Sequence, residues 1–138
     1  NTGHDGSLST LHANNPREGL GRLEVLVAMS GVDVPAKAVR GQIASAIHLI
    51  VHASRLQDGS RKIVQITEVT GMEGEVITLQ DIFLYKQTGV TTDGSGKPKV
   101  VGYHTATGIR PQAMGRIEES GLHLSPEIFN PHAQHGRE

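Results

Sequence analysis

Histidine closes the first apolar-polar run of the chain, Ser7-Leu8-Ser9-Thr10-Leu11-His12-Ala13. The run predicts a buried strand ending at His12, and open α/β sheets gather ligand groups at the carboxyl ends of their strands. An imidazole placed there can donate to a terminal phosphate oxygen or register its loss, and the Thr10 hydroxyl can orient the ring. The same ring serves equally to satisfy a buried strand end by local bonding, as most polar side chains do. His4, in the Gly-rich turn Thr2-Gly3-His4-Asp5-Gly6, is open to two similar readings, a ligand group or a solvated loop residue.

Other patterns imitate chemistry without its full set of parts. Gly94-Ser95-Gly96-Lys97-Pro98 looks like the end of a phosphate-binding loop, but Pro98 stands where Ser or Thr is required and Thr91 where the first Gly belongs. It also joins two expected strands, so no helix N-terminus faces a phosphate there, and a hairpin turn is the expected structure. His48 and His52 have the spacing with which a helix chelates zinc. In the strand expected at that place, four residues extend about 13 Å and cannot close on one ion. His132 and His135 fall in a polar tail, and no His-Glu-x-x-His or carboxylate-rich set accompanies either pair. No metal site is expected.

The elements that must position His12 follow from its neighbours. Asn14-Asn15-Pro16-Arg17-Glu18 reads as a helix start, with Asn15 as cap, Pro16 at the first helical position and Glu18 reaching back. Leu20, Leu23, Leu26, Val27 and Ser30 recur at helical spacing up to a stop at Gly31, although Gly19 and Gly21 weaken the helix. A second helical pattern opens at Asp33-Val34-Pro35 and places Val39, Ile43 and Ile47 on one face. Near Ala46 the period changes. Residues 47–55 and 61–69 are rich in Ile and Val around the turn signal Asp58-Gly59, which predicts a β-hairpin. Further strands are expected over 76–85 and 100–107, joined by a Gly- and Thr-rich loop around 91–98. A short last helix is expected over 111–120, with Met114 and Ile117 inward and Gly121 as its stop. One strand, two helices and then consecutive strands indicate an α/β fold whose later part is antiparallel.

With 138 residues, 36% of them hydrophobic and 3% aromatic, the chain supports one core packed by aliphatic side chains. Lys and Arg number 13 against 14 Asp and Glu, so no basic excess draws nucleic acid, which is not an expected partner. The absence of Cys excludes a disulfide framework and thiolate metal sites. No apolar run approaches the ~20 residues of a membrane-spanning helix. Asn1-Thr2-Gly3-His4 is neither an initiator Met nor a signal peptide, so the chain reads as excised from something larger. Arg17, Arg22, Arg40, Arg55 and Arg61 suit contacts in a ring of subunits or solvated pairs worth about 0 to 1 kcal/mol, and none of them is assigned as an arginine finger. An interaction module without catalysis is the rival to an enzyme on these grounds.

The segment Thr2-Gly3-His4-Asp5-Gly6-Ser7-Leu8-Ser9-Thr10-Leu11-His12-Ala13-Asn14 closely resembles the His box of secretion and pilus ATPases. The resemblance continues through Pro16-Arg17-Glu18, Arg22-Leu23-Glu24, Ser54-Arg55-Leu56, Asp58-Gly59-Ser60-Arg61, Gln65-Ile66-Thr67-Glu68-Val69 and Gly71-Met72-Glu73-Gly74. These runs look like the CpaF or TadA branch, which drives tight-adherence (Flp) pilus assembly, and the likeness covers nearly everything up to Phe129. It implies that residues 1–129 are the C-terminal part of a RecA-like P-loop NTPase domain, with P-loop, Asp box and Walker B upstream, and that 130–138 form a loose tail. It further implies a hexameric cytoplasmic ring of identical subunits docked peripherally on an inner-membrane platform protein. ATP and Mg2+ are implied for the complete protein and none for this chain alone. His12 and Thr10 are implied as catalytic residues, and His4 and His12 as contacts to the nucleotide.

Overall fold

A computed structural model describes residues 6–133. In chain order the elements are α1 (Pro16–Met29), α2 (Ala36–Ala46), β1 (Leu49–Arg55), β2 (Arg61–Glu73), β3 (Val76–Thr92), β4 (Pro98–Ala106), α3 (Met114–Glu119) and a 3-10 turn at Pro126–Phe129. The strands form one four-stranded sheet in the order β1-β2-β3-β4, so each pairs with its neighbour in sequence. The chain divides into two compact units. One joins the residues up to His48 with Val69–Leu79, and the other joins Leu49–Glu68 with the chain from Gln80 onward.

The first unit begins with a departure from expectation, because residues 6–13 form no strand and are exposed, apart from the half-buried Ala13. A strand is stabilised by the ladder it shares with a partner, and no described strand runs beside this segment. The parallel strands of a RecA-like core are likewise not among the described elements. Helix α1 starts where its cap chemistry dictates. Glu18 N donates to Asn15 Oδ1 at 2.8 Å and Asn14 N donates to Glu18 Oε2 at 3.3 Å, with Pro16 opening the helix. After Ser30 the chain leaves the helix at Gly31, whose φ of 77° lies in the left-handed region that glycine adopts without strain. Leu20 of α1 and Val39 and Ile43 of α2 are buried. Two arginines tie these helices to the tip of the β2–β3 hairpin. Arg17 Nη2 donates to Ile77 O at 3.1 Å, while Arg40 donates through Nε to Glu24 Oε1 at 2.6 Å and through Nη1 to Glu75 O at 3.2 Å. The planar guanidinium fork lets one side chain serve two acceptors.

The second unit is built on the hairpins expected from Asp58-Gly59 and from the Gly94–Lys97 stretch. Leu56 N donates to Ser60 O at 2.7 Å around Gly59, whose φ is 83°. Asp58 Oδ1 accepts from Ser60 N and Ser60 Oγ, and its Oδ2 accepts from Val100 N at 2.8 Å. The Ser60 hydroxyl first, and then the Val100 and Ser60 amides, hold the Asp58 carboxyl down to about 2. Strand β3 runs to Thr92 rather than ending near Tyr85, since backbone pairing with β4 continues past the polar residues Lys86 to Thr88. Helix α3 is shorter than its expected 111–120, because the amides of Gln112 and Ala113 bond to a side chain of β2 ahead of the first helical turn. The core of this unit gathers Ile82, Met114 and Phe129 with Phe83 and Ile117 around it, the Phe83 and Phe129 ring centroids lying 5.8 Å apart.

Gly102 of β4 is required by close approach. A Cβ there would run into Lys86 O and stand 2.6 Å from Tyr85 Oη. A backbone carbonyl has little room to retreat from a ladder, so Gly102→Ala is expected to lower stability by about 1 to 3 kcal/mol. Urea unfolding of variant and parent, compared at equal m-values, checks this.

Candidate functional site

His12 lies on the irregular segment just before α1, and its side chain is exposed. What the fold holds is its backbone. Arg22, on the second turn of α1, donates from Nη1 to His12 O at 2.6 Å. On either side of His12, Leu11 Cδ2 and Ala13 Cβ each lie 3.7 Å from where a Cβ on Gly19 would stand, so the segment rests against the bare backbone of α1. Asn14 and Asn15 then enter the reciprocal capping bonds with Glu18. Thr10 is exposed as well, and among the described residues no hydrogen bond joins it to His12. His4 lies outside the described residues.

The remaining histidines do not converge. His52 is in β1 with a buried Nδ1 that has no hydrogen-bond partner, and His48 precedes the strand. His104 Nε2 lies 2.8 Å from Ile63 O, with its ring 5.0 Å from that of Tyr85. His132 donates its backbone N–H to Asn130 Oδ1 and is exposed, and His135 lies outside the described residues. Among the described residues no three His, Asp or Glu side chains are grouped to hold a metal ion.

The Gly94–Lys97 stretch is a hairpin turn closed on itself. Asp93 Oδ1 accepts from Ser95 N at 2.8 Å, Ser95 Oγ at 2.7 Å and Lys97 N at 2.9 Å. Two of the amides that a phosphate-binding loop would offer to a nucleotide are therefore taken by a carboxylate, and Gly96 N donates to Asp93 O at 3.0 Å. The Ser95 hydroxyl first, and then the Lys97 and Ser95 amides, hold the Asp93 carboxyl below its ordinary range. In the first unit, a shallow groove is lined by Arg17, Leu20, Gly21, Glu24, Arg40 and Val76, and both arginines are engaged there by Ile77 O, Glu24 and Glu75 O.

Sequence reasoning missed two residues that organise these parts. Arg22 reads from the sequence as a ring contact or a solvated pair, although its place one helical turn beyond Glu18 puts it near the segment that enters the helix. Glu68 was one letter of an apolar strand run. It is 2% exposed and accepts from Gln80 Nε2, Gln112 N and Ala113 N, and an acidic residue between Thr67 and Val69 in such a run was the available signal.

Residues 1–110, which include the His12 segment, α1, α2 and the whole sheet, match the family described as type II/IV secretion system protein. The chain belongs to that family. Over 76 residues it is 40% identical to two proteins of Mycobacterium tuberculosis, from strains CDC 1551 / Oshkosh and ATCC 25618 / H37Rv, each named "Putative conjugal transfer protein". The matched stretch is 55% of this chain and 21% of each relative, so the chain spans about a fifth of the length of the curated relatives it matches. Membership of the secretion family agrees with the resemblance read from residues 2–14 and the runs after them. The family match stops at residue 110, short of the expected reach to Phe129. No helix among the described residues is long and apolar enough to cross a membrane.

Proposed function

We propose that this chain is part of a hexameric cytoplasmic ATPase, peripheral to the inner membrane, that powers protein secretion or Flp-type pilus assembly. Its share of the nucleotide site is the His box. The observation that supports the reading is the secretion-family match over residues 1–110, and the segment 2–14 that resembles a His box falls within that range. The exposed imidazole of His12 on an anchored backbone suits a contact to a terminal phosphate oxygen of the substrate ATP. Thr10 and His4 belong to the same proposed site. The rest of phosphoryl transfer depends on P-loop amides, a lysine, Mg2+ and acidic residues acting together, and the described residues do not offer that set. The partners on this reading are identical subunits and an inner-membrane platform protein.

A non-catalytic oligomerisation or interaction module is the second reading. Val25, Leu26 and Met29 of α1 and Val32 after it are all more than half exposed, Met29 at 77%, and an apolar patch of that kind suits a contact surface.

The two readings separate on Mg-ATP. The complete protein is expected to release phosphate in the steady state, whereas this 138-residue chain neither hydrolyses nor binds ATP at micromolar concentration by calorimetry. Micromolar binding or turnover by the chain alone would overturn the assignment of a His-box contribution dependent on other parts. A stable complete protein without turnover would favour the module.

A further inference from the structure

We propose that Arg22 is a positioning residue for His12, acting through the backbone rather than on the nucleotide. The inference rests on the reading of His12 given above and adds how the fold holds that residue in place.

An exposed side chain on an irregular segment would ordinarily sample many directions, and a contact to a phosphate oxygen is effective only when geometry is set beforehand. His12 is held in three ways. Its own carbonyl accepts the 2.6 Å bond from Arg22 Nη1, which fixes the plane of the peptide between His12 and Ala13. Leu11 and Ala13 sit at van der Waals distance from the position a Cβ on Gly19 would take, so the residues on both sides of His12 lean on α1. Asn14 and Asn15 are then locked by Glu18 at the helix start. With the backbone settled on both sides, two side-chain torsions are the remaining freedom of the imidazole. Arg22 stands on a helix two turns inside its cap, and a helix-borne group is a stiffer anchor than a loop-borne one. Among these contacts, the Arg22 bond is the one made directly to His12. A guanidinium suits the task because it is always charged and its donors are fixed in a plane, while lysine offers a point charge on a flexible stem.

The test uses the complete ATPase, with Arg22→Ala, Arg22→Lys, His12→Ala and the Arg22→Ala/His12→Ala double variant. Arg22→Ala is expected to lower kcat about tenfold while KM for ATP moves less than about threefold, since the bulk of nucleotide binding lies elsewhere. Arg22→Lys should recover part of that loss. The double variant should be no slower than His12→Ala alone, because Arg22 acts only through His12. Melting temperatures within a few degrees of the parent, measured on the same preparations, separate positioning from unfolding. Additive losses in the double variant, or an Arg22→Ala enzyme with parental kcat beside an impaired His12→Ala enzyme, would overturn the positioning role and leave His12 intact. If His12→Ala itself turns over like the parent, the His12 reading fails first and takes this one with it.

Discussion

Glu68→Ala is expected to lower the unfolding free energy by about 3 to 5 kcal/mol. Glu68 is 2% exposed, and its carboxylate accepts three hydrogen bonds, from Gln80 Nε2 at 2.8 Å, Gln112 N at 2.8 Å and Ala113 N at 2.9 Å. Two of those donors are backbone amides in the turn that leads into α3, and a buried amide without an acceptor costs about 1 to 3 kcal/mol. Alanine would orphan all three donors and leave a void where the carboxyl group stood. Releasing the turn would also loosen Met114, which packs with Ile82 and Phe129, so the loss would spread into the core of the second unit. Glu68→Gln keeps one acceptor oxygen but presents an NH2 to the other donors, and an intermediate loss of about 1 to 3 kcal/mol is expected. Urea unfolding measures both values, and amide exchange at Gln112 and Ala113 should accelerate in each variant. A Glu68→Ala chain within about 1 kcal/mol of the parent would show that water replaces the carboxyl group without penalty.

Much of this architecture was written locally in the sequence. Asn15, Pro16 and Glu18 fixed the start of α1 because capping is a contact between residues three apart, and Asp58-Gly59 fixed the first hairpin because only a few residue types tolerate its turn. Pro98, Thr91 and the strand-to-strand connection exclude Gly94–Lys97 as a phosphate loop, and the closed Asp93 turn supplies their physical counterpart. What failed to show was non-local. Residues 7–13 have the composition of a strand, but strand formation depends on a partner that no window of sequence contains. Strand β3 outruns the strand expected over 76–85 because polar residues end an apolar pattern without ending a backbone ladder. Arg22 and Glu68 were invisible for a related reason. Apart from the Gln80 side chain, their partners are backbone groups 10 and 44 to 45 positions away, and a backbone acceptor or donor has no letter of its own.

On the proposed site, His12→Ala is expected to slow ATP turnover by the complete enzyme roughly ten- to 150-fold, with little effect on folding. That range corresponds to about 1.5 to 3 kcal/mol, the worth of one charge-assisted hydrogen bond that matters in the transition state. The structure argues for the small folding effect directly. The imidazole is exposed, and the bond that anchors the residue uses its backbone carbonyl, which alanine retains. A substitution that preserves Arg22's acceptor and the seating of Leu11 and Ala13 on α1 should therefore remove the ring and nothing else. Secretion or pilus output should fall with turnover, because a motor that hydrolyses slowly cycles slowly. The decisive comparison is kcat against nucleotide affinity and melting temperature on the same protein. Loss of kcat with affinity and melting preserved assigns the ring to the chemical or sensing step. Unchanged turnover in a stably folded variant would remove His12 from the nucleotide site, and the anchored segment would then stand as the packing of a loop on the first turns of α1.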